Sequence, residues 1–287
     1  HTFTEFAQRM KNDEMITLAK FLAISGIILP MLPHKNLIPD INLTPYSIWL
    51  ATVVVSGISY LSYLLKRYVF HESGTLVSGI IGGLYSSTAT ISVLARKSRK
   101  ASELEATDYV AAMLLAVSMM FLRFMILILI FSREIFLSIY PYLLTMAVVA
   151  AIVAWFIHSR QKRPEDQPAE TEEDDSSNPL EFKVALIFAV LFVIFTFLTH
   201  YTLVYAGTGG LNLLSFVSGF SDITPFILNL LQNTGSVAAL IITACSMQAI
   251  ISNIMVNMFY ALFFAGKGSK LRPWILGGFG VVIGCNL

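Results

Sequence analysis

Apolar stretches close to twenty residues long follow one another along almost the whole chain, and no other feature restricts the fold as strongly. The hydrocarbon core of a bilayer requires about 20 apolar residues per helix. Of the 287 residues, 56% are hydrophobic and 13% are charged, whereas soluble domains contain about 25% charged residues. The sequence therefore predicts an all-α polytopic membrane protein. Nine apolar segments occupy residues 15–32, 47–65, 74–95, 109–131, 135–157, 182–203, 207–231, 236–265 and 273–287.

The distribution of lysine and arginine indicates that two of these segments do not cross the bilayer. Cytoplasmic loops of membrane proteins carry an excess of basic residues. If all nine segments span, the basic clusters lie on both faces. If the third and seventh segments instead enter and leave on one face, every cluster is cytoplasmic and only Lys35 lies outside. We therefore expect about seven spanning helices and two re-entrant or broken hairpins, 74–95 entering from the inside and 207–231 from the outside.

The two expected hairpins share a short sequence. Ser78-Gly79 in "VSGIIGG" recurs as Ser218-Gly219 in "VSGFSDI". Segments one to four and five to eight then form two repeats of opposite topology, an arrangement that places the substrate of many secondary transporters near mid-membrane. The expected organisation is a polar N-terminal segment 1–14, a first repeat 15–131, a second repeat 135–265 and an extra C-terminal helix 271–287. The stretch 159–181 is rich in Pro, Glu and Asp, which predicts a disordered cytoplasmic linker.

The first hairpin contains an unusual run of small and hydroxyl residues, "SGIIGGLYSSTATISV". Small residues at four-residue spacing permit close packing of membrane helices. The hydroxyls cluster after the two glycines, where the hairpin is expected to turn. There they either replace the water shell of an ion, or the helix end points its positive dipole at an anion. The candidate site residues in this run are Gly82, Gly83, Ser86, Ser87, Thr88 and Thr90.

Asp222 is the single ionised side chain between His200 and Lys267. An acid at mid-membrane costs about 2.5–3.5 kcal/mol and usually faces a cavity or a partner. One interpretation is a cation or proton site at Asp222, with Gly219 and Thr224 in the same hairpin tip, and Asp222 is also the one candidate metal ligand. The other interpretation is that Asp222 caps the helix that begins near Pro225.

Arg123 is the only charged residue of the fourth segment, and a polar stripe marks the eighth. Arg123 either pairs with Asp222 or holds an anionic substrate in a bidentate manner. The stripe contains two pairs spaced by four residues, Gln248 with Ser252 and Asn253 with Asn257, and Asn229 adds a further amide. Such amides either bind ions or join membrane helices by hydrogen bonds. Asn229 and Asn253 are included among the candidate substrate- or ion-binding residues.

Several classes of function find no support in the sequence. It contains no HExxH, GxSxG, P-loop or GxGxxG motif, so we expect neither an enzyme nor a cofactor. No basic stripe with interleaved aromatic residues suggests nucleic-acid binding. Cys245 and Cys285 lie in apolar runs without metal-ligand spacing, and we expect both to be buried small side chains.

Several motifs together resemble a known family. They are "LPMLP" at 29–33, "GGLYSSTATISVLARKSR" at 82–99, Arg123, and "SGFSD" followed by a helix that contains Asn253. In this order they are similar to a bacterial polytopic membrane domain of unknown function that is usually found C-terminal to an MgtC/SapB-type domain. The resemblance implies such a domain upstream of His1 and a link to magnesium or ion homeostasis. A second family carboxylate is Thr224 here, so the resemblance does not extend to a two-carboxylate cation site.

These observations lead to two hypotheses of function. The first is a secondary transporter or ion-conducting protein of the bacterial inner membrane, with a midplane site between the two repeats and a small ion or solute as its substrate. The second is a non-transporting scaffold or regulatory module, accessory to an MgtC-type domain. The expected partners are lipid, an MgtC-like domain or a second copy of the chain.

Overall fold

Helices make up almost all of the structure. The computed structural model describes residues 12–39, 41–69, 74–99, 101, 103–159, 182–232, 237–266 and 270–285. A π-helical turn, Leu65–Val69, follows the second helix, and within the described residues the only β-pairing is an isolated bridge between Ile38 and Ile41. The described helices are α1 (Asn12–Met31), α2 (Pro45–Leu64), α3 (Thr75–Lys97), α4 (Glu103–Phe131), α5 (Arg133–Ser159), α6 (Phe182–Ser218), α7 (Ile223–Gln232), α8 (Ala239–Ala265) and α9 (Arg272–Gly284).

The predicted all-α polytopic membrane fold is confirmed. Six helices are long and apolar enough to cross a membrane, namely α2, α3, α4, α5, α6 and α8, and α1 and α7 contain shorter apolar stretches. α1 begins at Asn12, inside the stretch 1–14 that was expected to be a separate polar segment, and residues 1–11 lie outside the described residues. The expected linker 159–181 also lies outside them, except for Ser159, which ends α5.

α4 is the central helix of the bundle. Ala112, Leu114, Val117 and Phe121 have no exposed surface, and α4 packs against α3 on one side and α5 on another. The hydroxyl of Ser118 donates to the carbonyl oxygen of Ala147 in α5 at 2.8 Å. Large apolar side chains cover the outside of the bundle, as a lipid environment requires, and examples are Leu137, Val148, Trp155 and Tyr205.

α3 is not a straight helix, because the chain reverses at Ser86. The backbone there is extended, with φ −160° and ψ 107°. A Cβ built on Gly82 would lie 2.5 Å from Oγ1 of Thr90. Eight residues rise about 12 Å along a continuous α-helix. Residues 75–85 and 87–97 therefore run back along each other, and we call them the first hairpin.

α6 reverses in the same way at Gly207. Its φ of 61° lies in the left-handed region, which glycine adopts at little cost. A Cβ built on Gly210 would lie 2.8 Å from Cγ2 of Thr202, again eight residues away. Residues 208–218, the last part of α6, thus turn back along the residues that precede Gly207. α7 follows after a break at residues 219–222. We call 208–232 the second hairpin.

Contacts at the two ends of the bundle show that the hairpins open in opposite directions. At the open end of the first hairpin, the guanidinium of Arg96 lies 4.3 Å from the ring centroid of Phe264, and Nη2 of Arg99 donates to the carbonyl of Phe263. These two phenylalanines belong to the last turn of α8. At the open end of the second hairpin, Gln232 accepts from Asn42 and donates to the carbonyl of Ser47, at the start of α2. The distance from Nδ2 of Asn42 to the backbone carbonyl oxygen of Gln232 is 2.8 Å.

Small residues allow the first hairpin to approach α4 closely. Gly79 faces the backbone of Ala112, and a Cβ built on Gly83 would lie 2.5 Å from Cα of Ala116. Two glycines four residues apart thus pack against two alanines four residues apart, which is the small-residue contact of membrane helices. The cysteines differ from each other: Cys245 is buried, but Cys285 is exposed because it follows the last turn of α9, so its expected burial is wrong.

We expect Gly83→Ala to destabilise the protein, because the backbone of α4 cannot move away from the added methyl group. Overpacking of this kind costs about 1–3 kcal/mol, or about 2–10 °C of melting temperature. Gly57→Ala in α2 is the matched control, since a Cβ there meets no atom within 4 Å. Thermal unfolding in detergent should separate the two variants, and equal melting temperatures would contradict the close packing.

Candidate functional site

Arg123 holds the tip of the first hairpin. Its Nη1 donates to the carbonyl oxygen of Tyr85 at 2.7 Å. This carbonyl is the last before the break at Ser86 and belongs to a helix end, where the final carbonyls lack intrahelical donors. The hairpin arms are about eleven residues, or about 16 Å, long, which corresponds to half of a bilayer core. The tip and Arg123 therefore lie midway along the bundle.

Ser86 begins the returning arm of the first hairpin. Its hydroxyl accepts from the backbone N–H of Ala89 at 3.4 Å, in the position of an N-cap. Serine competes with the helical hydrogen-bond pattern and is favoured at such positions. The adjacent Ser87 is buried, and Thr88 is partly buried. The hydroxyls of Ser86, Ser87 and Thr88 thus lie at the turn itself, as the sequence predicts.

Three other candidates of this hairpin serve its packing. Thr90 faces Gly82 across the two arms, and Gly83 faces α4. The carbonyl of Thr88 accepts from the hydroxyl of Ser92 at 2.8 Å, a bond within the returning arm. The structure therefore gives Gly82, Gly83 and Thr90 a structural place beside the tip.

α8 holds the tip of the second hairpin. Nδ2 of Asn253 donates to the carbonyl oxygen of Gly219 at 3.1 Å, and the hydroxyl of Ser252 donates to that of Phe216 at 2.7 Å. Asn257 in turn donates to Oδ1 of Asn253 at 3.2 Å. A side chain at Gly219 would collide with Ser252, so glycine is required for this approach. Three residues of the predicted polar stripe thus bind the second hairpin or each other.

Asp222 caps α7. Its Oδ1 accepts from the backbone N–H of Thr224 at 2.9 Å, so the capping interpretation describes this contact. Pro225 occupies the first turn of α7, where a missing N–H removes no helical hydrogen bond. Asp222 is nevertheless exposed in the polypeptide, whereas Thr224 is buried. The carboxylate therefore has surface available for a second contact.

Arg123 connects the two tips electrostatically. The guanidinium bonded to Tyr85 in the first tip is attracted by the carboxylate of Asp222 in the second. Elsewhere in the described residues, Nδ1 of His158 lies within hydrogen-bond distance of the carboxylate of Asp108, at 2.7 Å. The predicted alternative of a structural Arg123–Asp222 pair is thus present only as a longer-range attraction.

Asn229 lies farther along the second hairpin. Its Nδ2 donates to the hydroxyl of Thr196 in α6 at 2.7 Å, and that hydroxyl donates to the carbonyl of Phe192. Both side chains are buried. Thr196 and the carbonyl of Tyr85 are partners that the sequence analysis missed. Thr196 could have been found, because a threonine within an apolar run is itself a signal. No sequence signal identifies the backbone carbonyl of Tyr85 as the partner of Arg123.

Within the part of the chain that the structure describes, no group of three His, Cys, Asp or Glu side chains is placed to hold a metal. Two grooves lie on the outside of α6, around Val190 and around Tyr201, and none of the candidate residues lines them.

Comparison with known proteins finds one family. The sequence model of a domain of unknown function, DUF4010, matches residues 53–265. A protein of Aquifex aeolicus (strain VF5), described as "Uncharacterized protein", is 25% identical over 208 residues, which cover 70% of this chain and 87% of that protein. No solved structure matches the chain.

A cysteine pair tests the reversal at Ser86. With Cys245 and Cys285 replaced by alanine, Gly82→Cys with Thr90→Cys should form a disulfide on mild oxidation, because the two side chains meet across the hairpin. The control pair Leu144→Cys with Ile152→Cys has the same spacing in α5, where the helix continues without a reversal, and should remain reduced. Mass spectrometry of the intact protein measures both. Failure of the first pair to oxidise, with both side chains accessible to a thiol reagent after denaturation, would show a continuous helix.

Proposed function

The chain belongs to the DUF4010 family, and from this premise we propose that it is a secondary transporter or ion-conducting membrane protein rather than an enzyme. Its site lies between two repeats of opposite orientation near the middle of the bilayer. The hairpins that form the site are re-entrant, the first from the cytoplasmic face and the second from the opposite face.

One observation carries this proposal: two helical hairpins open toward opposite ends of the bundle, and Arg123 is bonded to the first tip and attracted by the carboxylate of the second. Broken helices at membrane depth are tolerated only where protein or a water-filled cavity satisfies their backbone. Many secondary transporters use such broken helices in inverted repeats to surround a midplane substrate. A simple anchor needs neither the breaks nor the charges.

We assign roles to the side chains at the two tips. Asp222 binds the coupling cation or proton, because its carboxylate is exposed while it caps α7. Arg123 holds the substrate together with the hydroxyls of Ser86, Ser87 and Thr88. Asn253 and Asn229 hold the second hairpin in place through Gly219 and Thr196. The contacts of both asparagines are with protein, which suits a supporting role.

The resemblance and the charge distribution supply the cellular part of the proposal. Arg96, Lys97 and Arg99 lie at the open end of the first hairpin, beside the end of α8. By the positive-inside rule this end is cytoplasmic, in the bacterial inner membrane, together with the N-terminus and the stretch 159–181. An MgtC-like domain or a second copy of the chain is the partner, and the process served is magnesium or other ion homeostasis.

Two substitutions test the function in reconstituted liposomes. Asp222→Asn should reduce ion or solute flux at least tenfold, because it removes the charge, while an asparagine caps a helix as well as an aspartate does. Arg123→Ala should abolish flux. Glu134→Gln, an exposed acid at the start of α5, is the control and should leave flux unchanged.

The measurement is the current on a solid-supported membrane across a panel of cations and anions, with melting temperatures recorded in parallel. Flux in both site variants at the wild-type level, with normal protein amounts, would refute the assignment. Absence of flux for every ion in the wild type would refute transport.

The scaffold hypothesis also has an observation in its favour. Ser252, Asn253 and Asn229 are buried and donate to groups of the protein itself. A scaffold retains this packing permanently, whereas a transporter must open it during its cycle. The test is an Asn253→Cys variant with the native cysteines replaced. Reaction of its cysteine with a water-soluble thiol reagent only under an ion gradient would favour transport over a scaffold.

A further inference from the structure

The hydrogen-bonding capacity of Arg123 is only partly used. A guanidinium has five N–H donors and no acceptor. One bond is present, from Nη1 to the carbonyl of Tyr85, and Nε is buried without a hydrogen-bond partner. The side chain as a whole is partly buried. A buried donor on a charged group is costly to leave unpaired, so a bound acceptor would stabilise this arrangement.

Protein donors bind three carbonyl oxygens near the two tips. In the first hairpin the carbonyl of Tyr85 accepts from Arg123, and in the second the carbonyls of Phe216 and Gly219 accept from Ser252 and Asn253. One of the two lone pairs of each oxygen is thus engaged, which weakens it as a ligand for a cation. The side chains left at the first tip are donors or hydroxyls, which serve either as donors or as acceptors.

The backbone of the first tip adds to the positive potential. The returning arm, 87–97, begins at the tip, and the first N–H groups of a helix carry partial positive charge. The partial negative end of the incoming arm, 75–85, faces the guanidinium of Arg123 and is compensated by it. Asp222, whose carboxylate attracts Arg123, caps its own helix and does not pair directly with the guanidinium.

We propose that the ligand of the first tip is a small oxyanion, with a carboxylate, phosphate or sulfate group held by Arg123 and by the amides and hydroxyls of residues 86–88. This inference rests on the proposed function and names its substrate class. The planar guanidinium presents paired N–H groups that match two oxygens of such an anion, which a lysine does not do. Chloride is a single atom, so it cannot offer two separate acceptor oxygens to the guanidinium, and it binds less well.

The test is thermal unfolding of purified protein in sulfate, phosphate or succinate, compared with chloride at equal ionic strength and pH. Saturation with the matching anion raises the melting temperature of the wild type by about 5 °C or more. Sulfate and phosphate also stabilise folded proteins in general, so the informative quantity is the difference between variants. Arg123→Gln should lose the specific rise. Arg133→Gln, the same change at an exposed position at the start of α5, should retain it.

Equal shifts in Arg123→Gln and Arg133→Gln would overturn the inference. If Arg123→Gln does not fold, Arg123→Lys replaces it. Binding of radiolabelled phosphate and sulfate, and their displacement by unlabelled succinate, are then measured for the wild type and for Arg123→Lys. The affinity of Arg123→Lys for these anions should be at least tenfold lower. Wild-type protein that binds none of the three anions would also overturn it. Oxyanion binding without flux would refute transport and leave this inference standing. Cation flux without oxyanion binding would refute this inference and leave transport standing.

Discussion

The hydrogen bond between Arg123 and the carbonyl of Tyr85 is the contact on which the central part of the structure depends. A helix that breaks halfway along a membrane bundle exposes backbone groups that lipid cannot satisfy. A positive side chain from α4 meets this need at the first tip, and Asn253 and Ser252 from α8 meet it at the second. Close packing then follows, because Gly83 and Gly219 let the hairpins approach these two helices.

The same contacts divide the chemistry between the two tips. Acceptors at helix ends are bound by protein donors, while Arg123 retains unused donors and Asp222 retains an exposed carboxylate. The first tip is thus suited to a negative group and the second to a cation or proton. In the proposed transporter, Arg123 on α4 and Asp222 on the second hairpin would couple two solutes without a permanent ion pair. The bond from the N–H of Thr224 fixes the orientation of the Asp222 carboxylate.

Much of this architecture could be predicted from sequence, and the reasons are physical. Length and apolarity identify helices, and charge asymmetry singled out 74–95 and 207–231, the segments in which the structure reverses or breaks the chain. That these segments re-enter a bilayer stays a prediction. The partners of the polar side chains could not be predicted, since they depend on distances between helices far apart in sequence. Thr90 faces Gly82 rather than the tip for this reason, and Asn229 pairs with Thr196. Capping of α7 was one of two interpretations of Asp222 in the sequence. Only the structure shows the capping bond, in which the N–H of Thr224 donates to the carboxylate.

Accessibility of the hairpin entrances from the two sides of the membrane tests the central claim most directly. Gly74→Cys lies at the entrance of the first hairpin and Gly209→Cys at that of the second, and a side chain meets no atom within 4 Å at either position. With the native cysteines replaced, a membrane-impermeant thiol reagent is applied to right-side-out and inside-out vesicles. Hairpins of opposite orientation predict that the cysteine at 74 reacts only in inside-out vesicles and the cysteine at 209 only in right-side-out vesicles. Labelling of both from the same side would contradict the inverted arrangement.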